Sequence, residues 1–392
     1  MKKIYVAVAG LMLVKAGSVA AIQPASVSAG PLEVIPVLET SVSHNDNIYG
    51  TETNETEAVI TTVSPSVQVV AERANDAYRL TYGFDAASYS KGGSFNNYVD
   101  HNLQAEAMIE LNSRNDLYLS AGINKGHDDR DSGDVTNNTK LTRWTDKTLN
   151  AQYNYGAEGA QGNLELNLSY VDHSYDSNKA ANIGQAKDSL LLGGVFYYRV
   201  APKTKALLEL RSEKIDYTDA ASQLDNTEQT VLTGVTWEAT AKTSGSAKIG
   251  YQEKGYDSAS RKDEDGVTWE IGATWAPRTY STFDLNTRQS YEETSGDENE
   301  SAIDTSVIGL SWNHAWNDRF STKAGVNFTN EEYVGAANGR EDDTADLNLG
   351  ATYEMRRWLD LSAGYTYSDT DSNVSGNSST NNVFMLTLTG SL

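Results

Sequence analysis

Val267, Trp269, Ile271, Ala273 and Trp275 alternate with Thr268, Glu270, Gly272 and Thr274. Side chains two apart on an extended chain share a face, so this stretch predicts a strand with one apolar and one polar side. Residues 276–279, with Pro277 among them, interrupt the alternation. It resumes with Phe283 and Leu285 facing one way and Asp284, Asn286 and Arg288 the other, which makes the whole a hairpin about a short turn.

The layout recurs. YYRVAPKTKALLEL, VTWEATAKTSGSAKIGY, LSWNHAWNDRFSTKAGV and ATYEMRRWLDLSAGY place similar turns at 200–203, 241–244, 316–318 and 356–358. Earlier hairpins turn at Ala74 and Asn75, at 112–116 and at the glycine-rich 156–162. Successive turns lie roughly 35 to 40 residues apart, a period that marks an array of like units. Two membrane-crossing strands of about ten residues, a short turn and a longer loop add up to that length. The count comes to about eighteen strands, the first near 34–43 and the last at 383–392. The predicted fold is all-β: a transmembrane, antiparallel, up-and-down β-barrel, with short turns in the periplasm and long loops outside the cell.

Composition first argues otherwise, since mean hydropathy is negative and only 39% of the 392 residues are hydrophobic. A barrel with a polar interior, however, needs apolar residues only at alternate positions. After the amino terminus no apolar run approaches the ~20 residues of a membrane helix. A soluble β-sandwich array is the rival fold, but no linker or compositional shift divides the chain into separate cores. Residues 1–20 carry Lys2 and Lys3, an apolar run from Ile4 to Val14 and small residues before Ala21, the layout of a cleaved signal peptide. A lead segment, 21–33, and the barrel, 34–392, follow. With export and no cysteine, a closed hydrogen-bonded sheet has to supply stability.

The formal net charge is −23, and the acidic residues gather in the longer connections at 52–57, 128–134, 263–265, 292–300 and 331–343. Such a field repels phosphate backbones, which sets nucleic acid aside as a partner. Trp237, Trp275, Trp312 and Tyr353 stand before successive short turns, and rings at one level read as the periplasmic aromatic girdle. By parity with apolar neighbours, Arg79, Glu106, Glu110, Glu165, Glu209, Arg211, Glu213, Lys248 and Arg288 face the lumen. Eighteen strands leave an aqueous channel, and charges lining it set which solutes are favoured. The alternative is that these residues only cross-link the inner wall. The chain closes with Phe384, Leu386, Leu388, Gly390 and Leu392 on one face, like the terminal strand by which outer-membrane barrels are recognised for insertion, though it ends in leucine rather than an aromatic residue.

SVSHNDNIY at 41–49, TVSPSVQVV at 62–70, YVDHNLQAEAMIELNSRNDLYLSAG at 98–122 and GHDDR at 126–130 resemble the Putative beta-barrel porin 2 family. The resemblance implies a large bacterial outer-membrane barrel, many relatives being associated with export of exopolysaccharide or capsule. It carries over no functional residues. The implied partners are outer-membrane lipid and lipopolysaccharide, the barrel insertion machinery and periplasmic polysaccharide-export components.

Catalytic and metal chemistry find little footing. His44, His101, His127, His173 and His314 are scattered without ligand spacing. His127, Asp128 and Asp129 offer calcium oxygens or a general acid and base, but there is no EF-hand spacing and no G-x-S-x-G elbow. The expectation is a channel without cofactor or enzymatic activity: a conduit for secreted polysaccharide, with a general diffusion porin for small polar solutes and a loop-plugged structural or adhesive barrel as alternatives.

Overall fold

The computed structural model describes residues 26–128, 141–157, 159–180, 182–240, 242–294 and 300–391. The signal peptide, the start of the lead segment, Asp129, most of the acidic stretches 128–134 and 292–300, and Leu392 lie outside the described residues. A short strand, β1 (Val27–Ala29), precedes β2 (Leu32–Asn45), β3 (Ala58–Arg73), β4 (Asp76–Tyr89), β5 (Tyr98–Asn112) and β6 (Asn115–His127). The wall continues through β7 (Arg143–Tyr155), β8 (Gly162–Tyr175), β9 (Lys187–Ala201), β10 (Thr204–Tyr217), β11 (Asn226–Thr240) and β12 (Thr243–Tyr256). It is completed by β13 (Glu264–Arg278), β14 (Ser281–Glu292), β15 (Ala302–Asn317), β16 (Phe320–Val334), β17 (Glu341–Arg356), β18 (Leu359–Ser372) and β19 (Ser379–Ser391).

Each strand from β2 to β19 pairs antiparallel with its sequence neighbours, and β19 returns to β2 from Val383↔Asn45 to Ser391↔Val37. The result is a closed wall of eighteen strands without a free edge. Leu32 to Val34 project below the end of β19, and there β1 folds back and pairs with them (Val27↔Val34). Gly30, at φ 67°, takes the left-handed conformation that this tight reversal needs. The strands run 12 to 16 residues, longer than the about ten that cross hydrocarbon. The first ladder therefore spans Leu32–Asn45 rather than 34–43, and the last begins at Ser379 rather than 383.

Short connections lie at one end and long ones at the other. Seven turns of two residues and one of six (156–161) share the end with the amino terminus of β2; the opposite end has nine loops, from six residues (335–340) to fifteen (128–142). The turn expected at 276–279 sits one step later, at Thr279 and Tyr280, and Pro277 lies inside β13. The register explains this: it shifts by one residue between Trp275 and Arg278, and at a bulge the missing proline N–H costs no ladder bond. The same shift occurs beside the turns after Thr240, Asn317 and Arg356.

The faces divide as a membrane wall requires. On β10, Leu208 is 48% exposed and Leu210 also stands open, whereas Leu207 and Ile215 on the opposite face are buried. Leu38, Leu80, Leu149, Leu192, Ile249, Ile308, Phe328, Leu349 and Leu386 continue the open apolar belt around the outside. At about 25 cal/mol per Å² of apolar surface removed from water, this belt makes a bilayer its stable surroundings.

Candidate functional site

The outward leucines fix the parity of every strand, and with it the position of the charged residues. Arg79 lies between outward Tyr78 and Leu80 and is laddered to Glu106. Glu110 lies beside outward Leu111, and Glu165 beside outward Leu166. Glu209, Arg211 and Glu213 lie on the face opposite Leu208 and Leu210, Lys248 precedes outward Ile249, and Arg288 is laddered to Glu270. All nine side chains therefore start on the inner face of the wall.

The fold draws four charges into one cluster. Arg211 contacts Glu209 at 2.5 Å and holds both oxygens of Glu270 at 2.5 and 3.1 Å. Lys248 pairs with Glu209 at 2.9 Å and also with Glu270. Beneath them Leu232 is completely buried, and at Gly234 and Gly250 the neighbouring strand's backbone comes so close that a Cβ would run into it. Arg79 pairs with Glu106 at 3.2 Å, and the Tyr118 hydroxyl donates to the same carboxylate at 2.6 Å. Arg288 is taken by Glu292 at 2.8 Å and Ser290 at 2.9 Å. Glu110 and Glu213 join neither group.

Four other inward carboxylates are met, among the described residues, only by neutral donors. Asn167 donates to Glu165 at 2.8 Å, Thr274 to Asp284 at 2.7 Å, Ser368 to Asp346 at 2.7 Å and Thr389 to Glu39 at 3.4 Å. Such bonds satisfy lone pairs but leave the charge standing. The inner face consequently carries uncompensated negative charge at these four positions.

At the long-loop end, one arc of the wall carries a buried ion cluster that sequence reasoning missed. Fully buried Lys254 lies between Glu228, at 2.7 Å, and Glu293, just beyond β14. The Tyr217 hydroxyl also donates to Glu293, and the Asn226 amide reaches it at 3.3 Å. Burial alone would raise the Glu293 carboxyl, but the positive charges of Lys254 and Lys187 and the donated hydrogen bonds outweigh it and hold the group below the usual carboxylate range. Ile215, Tyr217 and Leu224 pack beside this latch against Tyr256. Past it, Thr294 donates to Glu300 at 2.9 Å, and Arg261 holds the Glu300 carbonyl at 2.6 Å. Arg79, by contrast, stands near the short-turn end, in the fourth ladder pair from the turn after β3, and is 52% exposed although it points inward. Solvent therefore reaches the inner wall of β4 and β5 near the short-turn end.

Trp275 and Tyr353 stand open on the outer face at the short-turn end. Trp237, also on the outer face, is partly covered where it lies over Gly245. Trp312 is likewise partly covered. It belongs to a row in which Trp275 stacks on Phe283 (centroids 5.3 Å) and Phe283 on Trp312 (6.1 Å), with Trp316 edge-on to Trp312 at 6.4 Å. Its indole N–H donates to Ser281 at 2.9 Å. Phe283 and Trp316 carry the same alternation but were not grouped with the four in the sequence. His127, the candidate acid or base, pairs with Asp100 at 2.9 Å.

A closed eighteen-stranded wall, apolar outside and charged inside, with all its short turns at one end, defines a porin-like β-barrel channel of the bacterial outer membrane. The chain belongs to the Putative beta-barrel porin 2 family, whose profile matches residues 20–392. No curated protein matches the sequence. In fold, the chain is similar to a BenF-like porin from Pseudomonas fluorescens Pf-5 (TM-score 0.54, 11% identity, covering 92% of this chain and 99% of that one). It is also similar to OpdK of Pseudomonas aeruginosa, solved with vanillate (TM-score 0.51, 11% identity, 92% and 98%). A third likeness is to the FrpB iron transporter of Neisseria meningitidis (F5-1 variant; TM-score 0.51, 11% identity), covering 88% of this chain but only 63% of the transporter. At these identities the likeness is one of fold.

Proposed function

We propose that the barrel is a general diffusion channel for small polar solutes, with a preference for cations. The observation that carries this reading is the inner wall itself, exposed at Arg79 and lined by Glu39, Glu165, Asp284 and Asp346, none of which is met by a base among the described residues. Carboxylates lining a hydrated passage raise the local concentration of cations and repel anions. The same charge disfavours an anionic aromatic acid such as the vanillate bound to OpdK. The polysaccharide conduit expected from the family resemblance draws no support from the structural likenesses, which include porins and an iron transporter. The channel reading requires no reaction at the wall and no cofactor.

Reconstitution into planar bilayers under a salt gradient tests the proposal. A reversal potential of cation-selective sign, with conductance unchanged by added exopolysaccharide, is the expected result. A silent barrel, an anion-selective one, or one blocked by the polymer would overturn it.

A further inference from the structure

Half-way up the inner wall, glycines open a space between amides. Gly272, Asn286, Gly309, Asn327 and Asp346 follow one another from β13 to β17, each laddered to the next. Outward Leu285, Ile308, Leu310 and Phe328 put Asn286, Gly309 and Asn327 on the lumenal face. Two side chains therefore converge over a residue that has none. A Cβ at Gly309 would fall within 3.0 Å of both Asn286 Oδ1 and Asn327 Oδ1, so these oxygens stand no more than 6.0 Å apart, twice that distance. At Gly272, on the other side of Asn286, a Cβ would meet nothing within 4 Å, and the wall there is bare.

The two amides are reachable and unengaged. Gly309 is buried beneath them, but Asn286 is exposed and Asn327 half-buried, and neither side chain bonds to another described residue. Two acceptors facing one another repel unless a donor or a cation is shared between them. Asp346 lies one strand beyond Asn327, about 5 Å along the ladder. Its Oδ1 accepts from Ser368, and its other oxygen has no donor among the described residues. Arg288, two residues along β14 from Asn286, is held by Glu292 and Ser290 instead.

We infer that, in a barrel conducting small polar solutes as proposed above, this alcove receives the ammonium group of a passing primary amine. An ammonium presents three N–H donors and no acceptor, which matches two amide oxygens and a carboxylate. A nitrogen about 2.9 Å from each amide oxygen bridges the gap between them. Asp346 supplies the opposite charge, and bonds from a charged donor are stronger than neutral ones. The rest of the solute has room over Gly272. A quaternary ammonium carries the same charge but no N–H, and an anion meets acceptors on every side. A multivalent metal is the wrong guest as well: among the described residues no three acidic or histidine side chains converge as ligands.

The test uses the whole barrel in planar bilayers carrying potassium current, with n-butylammonium and n-butyltrimethylammonium as separate blockers. The two share a tail and a charge and differ in N–H donors. Wild type should be half-blocked by the primary amine at about one-tenth of the concentration needed for the quaternary one, the worth of one charge-assisted hydrogen bond. Asn327→Leu and Gly309→Ala should each lose most of that margin while keeping heat-modifiable migration on gels; in the second, the added methyl displaces both amides at once. Equal block of wild type by the two ions would mean that the amides bond each other, and a margin unchanged in both variants would place the amine elsewhere. Either result overturns the site while a cation-selective wild-type current leaves the channel reading standing. A wild-type barrel without that current overturns the channel reading and the site with it.

Discussion

Arg211 on β10 and Glu270 on β13 meet through two hydrogen bonds, 2.5 and 3.1 Å, although β11 and β12 stand between them. With strands about 4.8 Å apart, the pair bridges roughly 14 Å of wall. The curvature of the barrel and the length of the two side chains make that reach feasible. Removing one partner of a fully buried pair costs about 3–5 kcal/mol; these two remain about a quarter to a third exposed, which lowers the expectation to about 1–3 kcal/mol. Arg211→Gln should therefore lower stability by that amount in urea titrations of vesicle-embedded protein. It should also increase cation selectivity, since it deletes a lumenal positive charge, whereas Glu270→Gln should decrease it. Two shifts of the same sign would contradict the placement of this cluster in the ion path.

Alternation made the strands legible, and the recurrence of turns made their number legible, because each wall residue has to choose between lipid and lumen. The positions of individual turns were less so: Pro277 suggested a break, but the bulge beside it belongs to register, which depends on the partner strand. The candidate inner-face residues followed from parity. Their partners did not, since Glu270 and Arg211 are 59 positions apart and no local rule joins them. The Lys254–Glu293 latch was invisible for the same reason. Phe283 and Trp316 could have been grouped with the aromatic four, as both share their face and level; only their different offsets from the turns hid them.

Leu208 tests the outer surface. It is exposed on the outer face amid the apolar belt, so Leu208→Arg should cost roughly 2–4 kcal/mol of folding free energy in lipid vesicles, because an arginine there loses its water. Leu208→Phe should be nearly neutral. An equally mild effect of arginine would mean that this position lies at an interface or faces water.

The Glu293 latch predicts a pH response with a definite sign. Its carboxyl titrates below the ordinary value of about 4.3. A depressed carboxylate contributes stability above its unfolded pKa and loses it as pH falls through the folded one. Single-channel recordings should therefore show a quiet open level from neutral pH down to about 4 and rising noise only in stronger acid. Glu293→Gln should be noisy at every pH, because Lys254 then retains only Glu228 as a charged partner. Noise that sets in near neutral pH in the wild type would assign the event to another group.

The acidic lining makes the last prediction. Glu165 and Asp346 each accept a hydrogen bond from a neutral amide or hydroxyl, so Glu165→Gln and Asp346→Asn preserve shape and much of the bonding while deleting one charge apiece. Neither residue belongs to an ion pair among the described residues, and stability should change by no more than about 1 kcal/mol, the scale of one net hydrogen bond. Selectivity should respond far more: each charge facing a confined aqueous passage acts where screening by bulk salt is weakest. The double variant should move the reversal potential toward zero, and the effect should shrink as ionic strength rises and the Debye length falls from about 10 Å at 0.1 M to about 3 Å at 1 M. A reversal potential that stays put at low salt would show that ions pass out of reach of this part of the wall. The path would then lie along the arc of β4 and β5, where Arg79 is open to water, and Glu106→Gln, which frees that arginine, should shift selectivity toward anions instead.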